Sequence, residues 1–166
     1  QMIVRTKEEI EKGTKIICEA SFSYDGLFCS VDILKNNGNN EVEIYEVKSS
    51  TEVKDIYIHD VSYQNYVLEN LGYHVTSVNL VYINNQYVRH GELDLQQLFN
   101  IEDLTHEAKS NYELVQENVA YFKQYLEKED EPQMDIGEHC FKPYDCGFWK
   151  YCSRNLPTPN IFDVAN

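Results

Sequence analysis

The first limits on this 166-residue chain come from what it lacks. No apolar run approaches the length that crosses a bilayer, and no basic-then-apolar leader opens the chain, so a cytoplasmic protein is expected. Cations are scarce: 14 Lys and Arg stand against 28 Asp and Glu, a formal charge of −14. A protein that grips a polyanion by bulk charge needs the opposite balance. Any contact with nucleic acid therefore has to run through divalent ions, a small basic patch or a further basic segment. No G-x-S-x-G elbow, phosphate-binding loop or dinucleotide fingerprint is present, which removes the commonest serine hydrolases and nucleotide binders. His59, His74, His90 and His106 are scattered without metal-ligand spacing and read as surface or packing residues. An odd count of five cysteines argues against a disulfide framework. There is no internal repeat and no low-complexity segment. The chain begins at Gln1, which leaves room for a longer parent protein.

What is present is a foldable composition, 42% apolar and 13% aromatic, with 13 tyrosines that each bring ring area and a polar tip. That is enough for one domain with a respectable core. Residues 4–12 have the spacing of a short amphipathic helix. "KIICEASFSY" and "LFCSVDIL" alternate and are split by Asp25-Gly26, a strong hairpin signal because both turn positions need positive φ. "KNNGNN" reads as a loop before a third strand over 42–48. Residues 55–72 have helical spacing ending on Gly72, a suitable helix C-terminal residue. A fourth strand follows over 73–83, and "QYVRHG" reads as a short fifth strand or a β-turn presenting Arg89 and His90. A long helical stretch then runs to about 129. The four prolines concentrate in the tail, which reads mostly as loop. The expected architecture is α/β with a mixed sheet, a core over 1–100, a helical arm over 101–131 and a cysteine-bearing tail over 132–166 packed on the core as one domain.

A two-residue turn at 25–26 sets Glu19 opposite Asp32, and a loop centred near Asn39 sets Asp32 opposite Glu46. Glu46 and Lys48 share one strand face, with Val47 on the other. An acid and an amine so placed are either a solvated face or a metal site with an amine beside it. Like charges opposed across a sheet destabilise it, and a hard divalent ion with oxygen ligands offsets them. Such an ion acidifies bound water and draws charge from a phosphoryl oxygen, while lysine supplies a compact point charge.

Asp32, thirteen intervening residues and then "EVK" at 46–48 resemble the PD-(D/E)XK nuclease signature in a form without the proline. The order helix, three strands, helix, strand is that superfamily's restriction-endonuclease-like core. The resemblance implies Asp32, Glu46 and the Val47 carbonyl as ligands of Mg²⁺ or Mn²⁺, with Lys48 catalytic, and the hairpin register adds Glu19 as a further carboxylate of the metal site. The RecB-like branch adds a helical glutamine, which Gln64 matches. Its usual tyrosine four residues on is Leu68 here, with Tyr66 on a different helical face and Tyr63 next to Gln64, which leaves the tyrosine's role unassigned.

Cys140, Cys146 and Cys152 are evenly spaced, five residues between neighbours. Thiolates gathered in a reducing compartment commonly bind metal. The tail resembles that of RecB-like nucleases in which a cysteine trio and one distant upstream cysteine hold a 4Fe–4S cluster. His139 keeps a Cys₃His zinc site open, and packing by Phe148 and Trp149 around reduced thiols is the plain alternative. Cys18, facing Ile33, and Cys29, facing Phe22, read as strand packing. Together these resemblances imply a metal-dependent DNase, an exonuclease on single-stranded DNA or ends, alone or with a partner protein or upstream segment. A non-catalytic nucleic-acid- or protein-binding scaffold on the same fold is the other reading, and the negative charge favours it.

Overall fold

In the computed structural model, which describes residues 1–164, helix α1 (Met2–Glu11) leads into β1 (Ile16–Tyr24) and β2 (Leu27–Gly38). The hairpin has the expected register, Tyr24 opposite Leu27, with Asp25 at φ 48° and Gly26 at φ 80°. Strand β3 (Glu41–Lys48) returns antiparallel after Asn39 and Asn40, which also adopt positive φ. Asparagine tolerates that conformation because its short amide bonds locally.

Helix α2 (Asp55–Asn70) ends as expected, with Gly72 at φ 87° and its N–H bonded back to the Glu69 carbonyl. It crosses to β4 (His74–Ile83), which pairs parallel with β3. The α-β-β-β-α-β order is that of the restriction-endonuclease-like core. The sheet is mixed and five-stranded, in the order β1-β2-β3-β4-β5.

The fifth strand is not the 86–91 segment. After the short helix α3 (Leu95–Leu98), capped by the Asp94 carboxylate on the Gln96 and Gln97 N–H groups, β5 (Phe99–Asp103) pairs antiparallel with β4. Phe99 and Ile101 alternate with Asn100 and Glu102, a pattern too brief to stand out beside the helical spacing that follows. Residues 86–91 form the loop before it, where the Arg89 guanidinium bonds the Gly91 carbonyl. The long helical stretch is two helices, α4 (Thr105–Ser110) and α5 (Tyr112–Leu126). They break at Asn111, whose amide donates to the Ser62 hydroxyl of α2.

The core lies between one sheet face and these helices. Leu34, Val42, Ile44, Val61, Leu68, Val78 and Leu80 are fully buried in it, each contributing about 1.5–3 kcal/mol by leaving water. The chain divides after Leu126 into two compact units, Gln1–Leu126 and Glu127–Asn166, where the sequence places divisions at 100 and 131. The second unit holds a 3₁₀ turn at Glu138–Cys140, helix α6 (Trp149–Cys152) and a 3₁₀ turn at Ile161–Asp163. It stacks the partly exposed rings of Phe141, Trp149 and Phe162, with centroids 4.8 to 6.0 Å apart. Among the described residues no helix is long and apolar enough to cross a membrane.

Candidate active site

The β2–β3 ladder runs through Leu34 opposite Ile44 to Ile33 opposite Tyr45 and ends there. Asp32 and Glu46 occupy the next step of that register. Beyond it β2 continues with β1 while β3 continues with β4, so the two strands fork at this point. The Asp32 carboxylate sits in the fork and accepts the Val47 N–H at 2.7 Å, taking the place of a main-chain acceptor.

Glu46 is buried, 6% exposed, on the face that meets α2. One carboxylate oxygen accepts from Lys48 Nζ at 2.6 Å, and the other accepts from Gln64 Nε2 at 2.8 Å. Lys48 Nζ also donates to Asp60 Oδ2 at 2.6 Å and lies 5.6 Å from the centre of the Tyr57 ring. Tyr57, Asp60 and Gln64 recur at i, i+3 and i+7 on α2, so one helix face converges on one strand end. Asp60 and Tyr57 are the site residues that sequence reasoning missed. Their spacing from Gln64 was the available signal.

Burial pushes the Glu46 carboxyl above its ordinary range and the Asp60 charge adds to this, against the hydrogen bonds from Gln64 and Lys48. Burial works to lower the Lys48 ammonium, but its hydrogen bonds to Asp60 and Glu46 prevail and hold it above its ordinary value. Two acids thus share one cation, leaving excess negative charge in a partly dry place. Gln64 Oε1 is buried there without a hydrogen-bond partner. A buried unpaired carbonyl is costly, and such atoms in native structures call for an explanation.

Glu19 keeps the position opposite Asp32 in the register, but its backbone departs from a regular strand. Cys18 pairs with Ile33 and Ala20 with Val31, but Glu19 between them turns left-handed at φ 54°. Core-facing positions jump from Ile17 to Ala20 on β1, and from Leu34 to Val31 on β2, so both strands switch faces here. The Glu19 carboxylate meets the Ser30 hydroxyl at 3.5 Å. Left-handed backbone at a non-glycine residue is strained by about 1–3 kcal/mol and gathers at functional sites.

Each of the three predicted carboxylates therefore takes its own protein donor. Among the described residues no three His, Cys, Asp or Glu side chains are grouped as a metal ion needs. This includes the tail, where Cys140 is buried, Cys146 is half-buried and Cys152 is exposed. Cys29 faces Phe22 as predicted, and burial beside Asp60 and Glu46 pushes its thiol up to about 12, as suits a packing residue. Tyr63 donates to the Phe28 carbonyl and Tyr66 packs on Tyr112, so both serve the fold.

No protein-family model and no curated protein matches the sequence. Two solved structures are similar. The alkaline exonuclease LHK-Exo of Laribacter hongkongensis has 13% identity and a TM-score of 0.36 over 74% of this chain and 68% of that one. SSO0001 has 15% identity and a TM-score of 0.37 over 74% of this chain and 57% of its own. Both are distant, and the reading of the site rests on its own geometry.

Proposed function

We propose that the chain is a divalent-metal-dependent deoxyribonuclease that hydrolyses phosphodiester bonds, acting as an exonuclease on single-stranded DNA or ends. The observation that carries this reading is the Lys48 ammonium, held 2.6 Å from both Glu46 and Asp60 beside the strand fork that contains Asp32. Asp32, Glu46 and the Val47 carbonyl are the oxygen donors that would hold Mg²⁺ or Mn²⁺. The excess negative charge and the unpartnered Gln64 Oε1 suit a hard ion with its waters. When bound, the ion supplies Lewis acidity and a more acidic water. Lys48 orients the attacking water and stabilises charge on the phosphoryl oxygens. Gln64 fixes the Glu46 carboxylate, Asp60 and Tyr57 fix Lys48, and Glu19 supports the site from the neighbouring strand. In the tail Cys140, Cys146 and Cys152 are the thiols that would hold an iron–sulfur cluster, or with His139 a zinc ion, and no step runs through either.

The test is Mn²⁺-dependent degradation of end-labelled single-stranded DNA by the chain and by Lys48→Ala. Activity in the first and its loss in the second is expected. Equal activity in both removes the lysine from the chemistry. A folded chain inactive in both forms supports the second reading, a non-catalytic scaffold, which the charge of −14 favours.

A further inference from the structure

Between Phe141 and Arg154 the chain reverses its character. Along the sequence Lys142, Lys150 and Arg154 stand there against Asp145, a net +2 in a chain of −14, while Glu138 pairs with Lys142 and Glu131 accepts from the Tyr151 hydroxyl. The same stretch exposes aromatic rings: Tyr144 at 67%, Phe148 at 72% and Tyr151 at 47%. Phe141, Trp149 and Phe162 instead stack on one another, with Phe141 41% and Phe162 45% exposed. The Arg154 guanidinium lies 3.7 Å from the centre of the Tyr151 ring, making a flat cationic platform. Lys142 pairs with Glu138, an exposed contact one helical turn apart that a phosphate readily displaces. Lys150 has no carboxylate partner among the described residues.

Exposed rings interleaved with cations match one kind of ligand. A single nucleic-acid strand offers a π-face at every base and a charge at every phosphate, and such surfaces bind it without needing sequence. The acidic remainder of the chain repels phosphates, so that without a metal ion this stretch is the favoured place for a strand. We propose that this surface binds single-stranded nucleic acid, with bases stacked on Tyr144 and Phe148 and phosphates on Lys142, Lys150 and Arg154. The proposal deepens the nuclease reading by naming a substrate contact, and it is separable from catalysis.

The experiment uses the full chain in EDTA, which prevents cleavage, with a fluorescently labelled oligo(dT) of about 20 nucleotides, longer than the site such a surface occupies. Anisotropy is followed over a salt series, and the fluorescence of the single tryptophan, Trp149, reports that the aromatic stack is intact. Binding by the chain is expected. Tyr144→Ala and Phe148→Ala should each weaken it about fivefold or more. Lys150→Ala, which removes no ring, should reduce the slope of log K against log salt by about 0.7. Absence of binding, or binding unchanged in all three variants with Trp149 emission unaltered, overturns the proposal and directs attention to a protein partner for these rings. Lys35→Ala, whose ammonium faces Glu43, should bind as the unaltered chain does. Binding by a chain inactive in Mn²⁺ overturns the catalytic reading alone, whereas cleavage together with unaltered binding in the ring variants overturns this proposal alone.

Discussion

Strand β3 presents an acid paired with a lysine on each of its faces, Lys48 of its own or Lys35 of β2, and the two pairs differ in almost everything except distance. On the open face Glu43 accepts from Lys35 at 2.8 Å, across the strand pair, and also from Asn37 and Tyr45. The Lys35 hydrogen bond and then that from Asn37 hold its carboxyl down, at about 2. On the helix-facing side Glu46 meets Lys48 at 2.6 Å, yet burial raises its carboxyl, a second acid competes for the lysine, and Gln64 Oε1 is left unpaired. The first pair is complete, as a pair that stabilises a sheet should be. The second is incomplete in the direction of needing positive charge. Proximity of an acid and an amine thus says little, and the balance of donors and charges around them separates a strand fastener from a candidate reaction centre.

The comparison breaks most easily at the lysines. Lys48→Ala should lower Mn²⁺-dependent DNA degradation by about 10³-fold, the scale of losing one preorganised charge at a developing oxyanion. Lys35→Ala should leave the rate within about twofold, because its ammonium faces Glu43. Similar losses in both, measured on folded variants, would show that the two pairs are not distinct in kind.

Metal binding sharpens the same contrast without any assay of cleavage. If Asp32 and Glu46 hold the ion, saturating Mn²⁺ at about 100 times Kd adds about 2.7 kcal/mol, which is about 5–10 °C in thermal midpoint for a chain of this size. Asp32→Asn and Glu46→Gln should abolish the gain, and Glu43→Gln should retain it. Differential scanning calorimetry with and without EDTA decides. A gain that survives Glu46→Gln places the ion elsewhere.

Asp60 tests whether the helix contributes to function or only to packing. As a positioning residue acting through Lys48, Asp60→Asn should lower kcat about tenfold with KM nearly constant, since the change concerns the transition state. Asp60→Glu should restore part of it. A residue of purely structural value would instead lower the folded fraction, and the conservative variant would not change kcat at equal folded concentration.

How much of this was readable beforehand follows the range of the interactions. The Asp25-Gly26 turn and the loop about Asn39 are local signals, and with strand alternation they predict the 32–46 register that the ladder approaches. Gln64 was readable by resemblance, and it reaches Glu46. Asp60 was overlooked because an acid on a helix is ordinarily solvated, and only the packing of α2 on β3 makes it a partner of Lys48. The left-handed turn at Glu19 had no composition cue, since it comes from two strands switching faces together and not from a glycine. Strand β5 is brief and partly exposed, so pairing with β4 defines it more than its own pattern does.

The gentlest test is the pH dependence of stability in EDTA, where the two acids act with opposite sign. Glu43 is depressed from its ordinary 4.5 to about 2. The unfolded chain therefore binds more protons in that window, and the stability Glu43 contributes, present above 4.5, is lost as pH falls toward 2. Glu46 is raised, so the folded chain keeps its proton longer, and stability falls as pH rises above 4.5 through the elevated value. The Glu43 effect should be about 1 kcal/mol, since Lys35 is 43% exposed and screened by solvent, and the Glu46 effect has the opposite sign. Urea unfolding at a series of pH values reads both slopes. Glu43→Gln should flatten the acid limb alone, and Glu46→Gln should flatten the limb above 4.5 alone. If Glu46→Gln leaves that upper limb unchanged, burial does not govern this carboxyl, and the contrast between the two faces of β3 reduces to geometry.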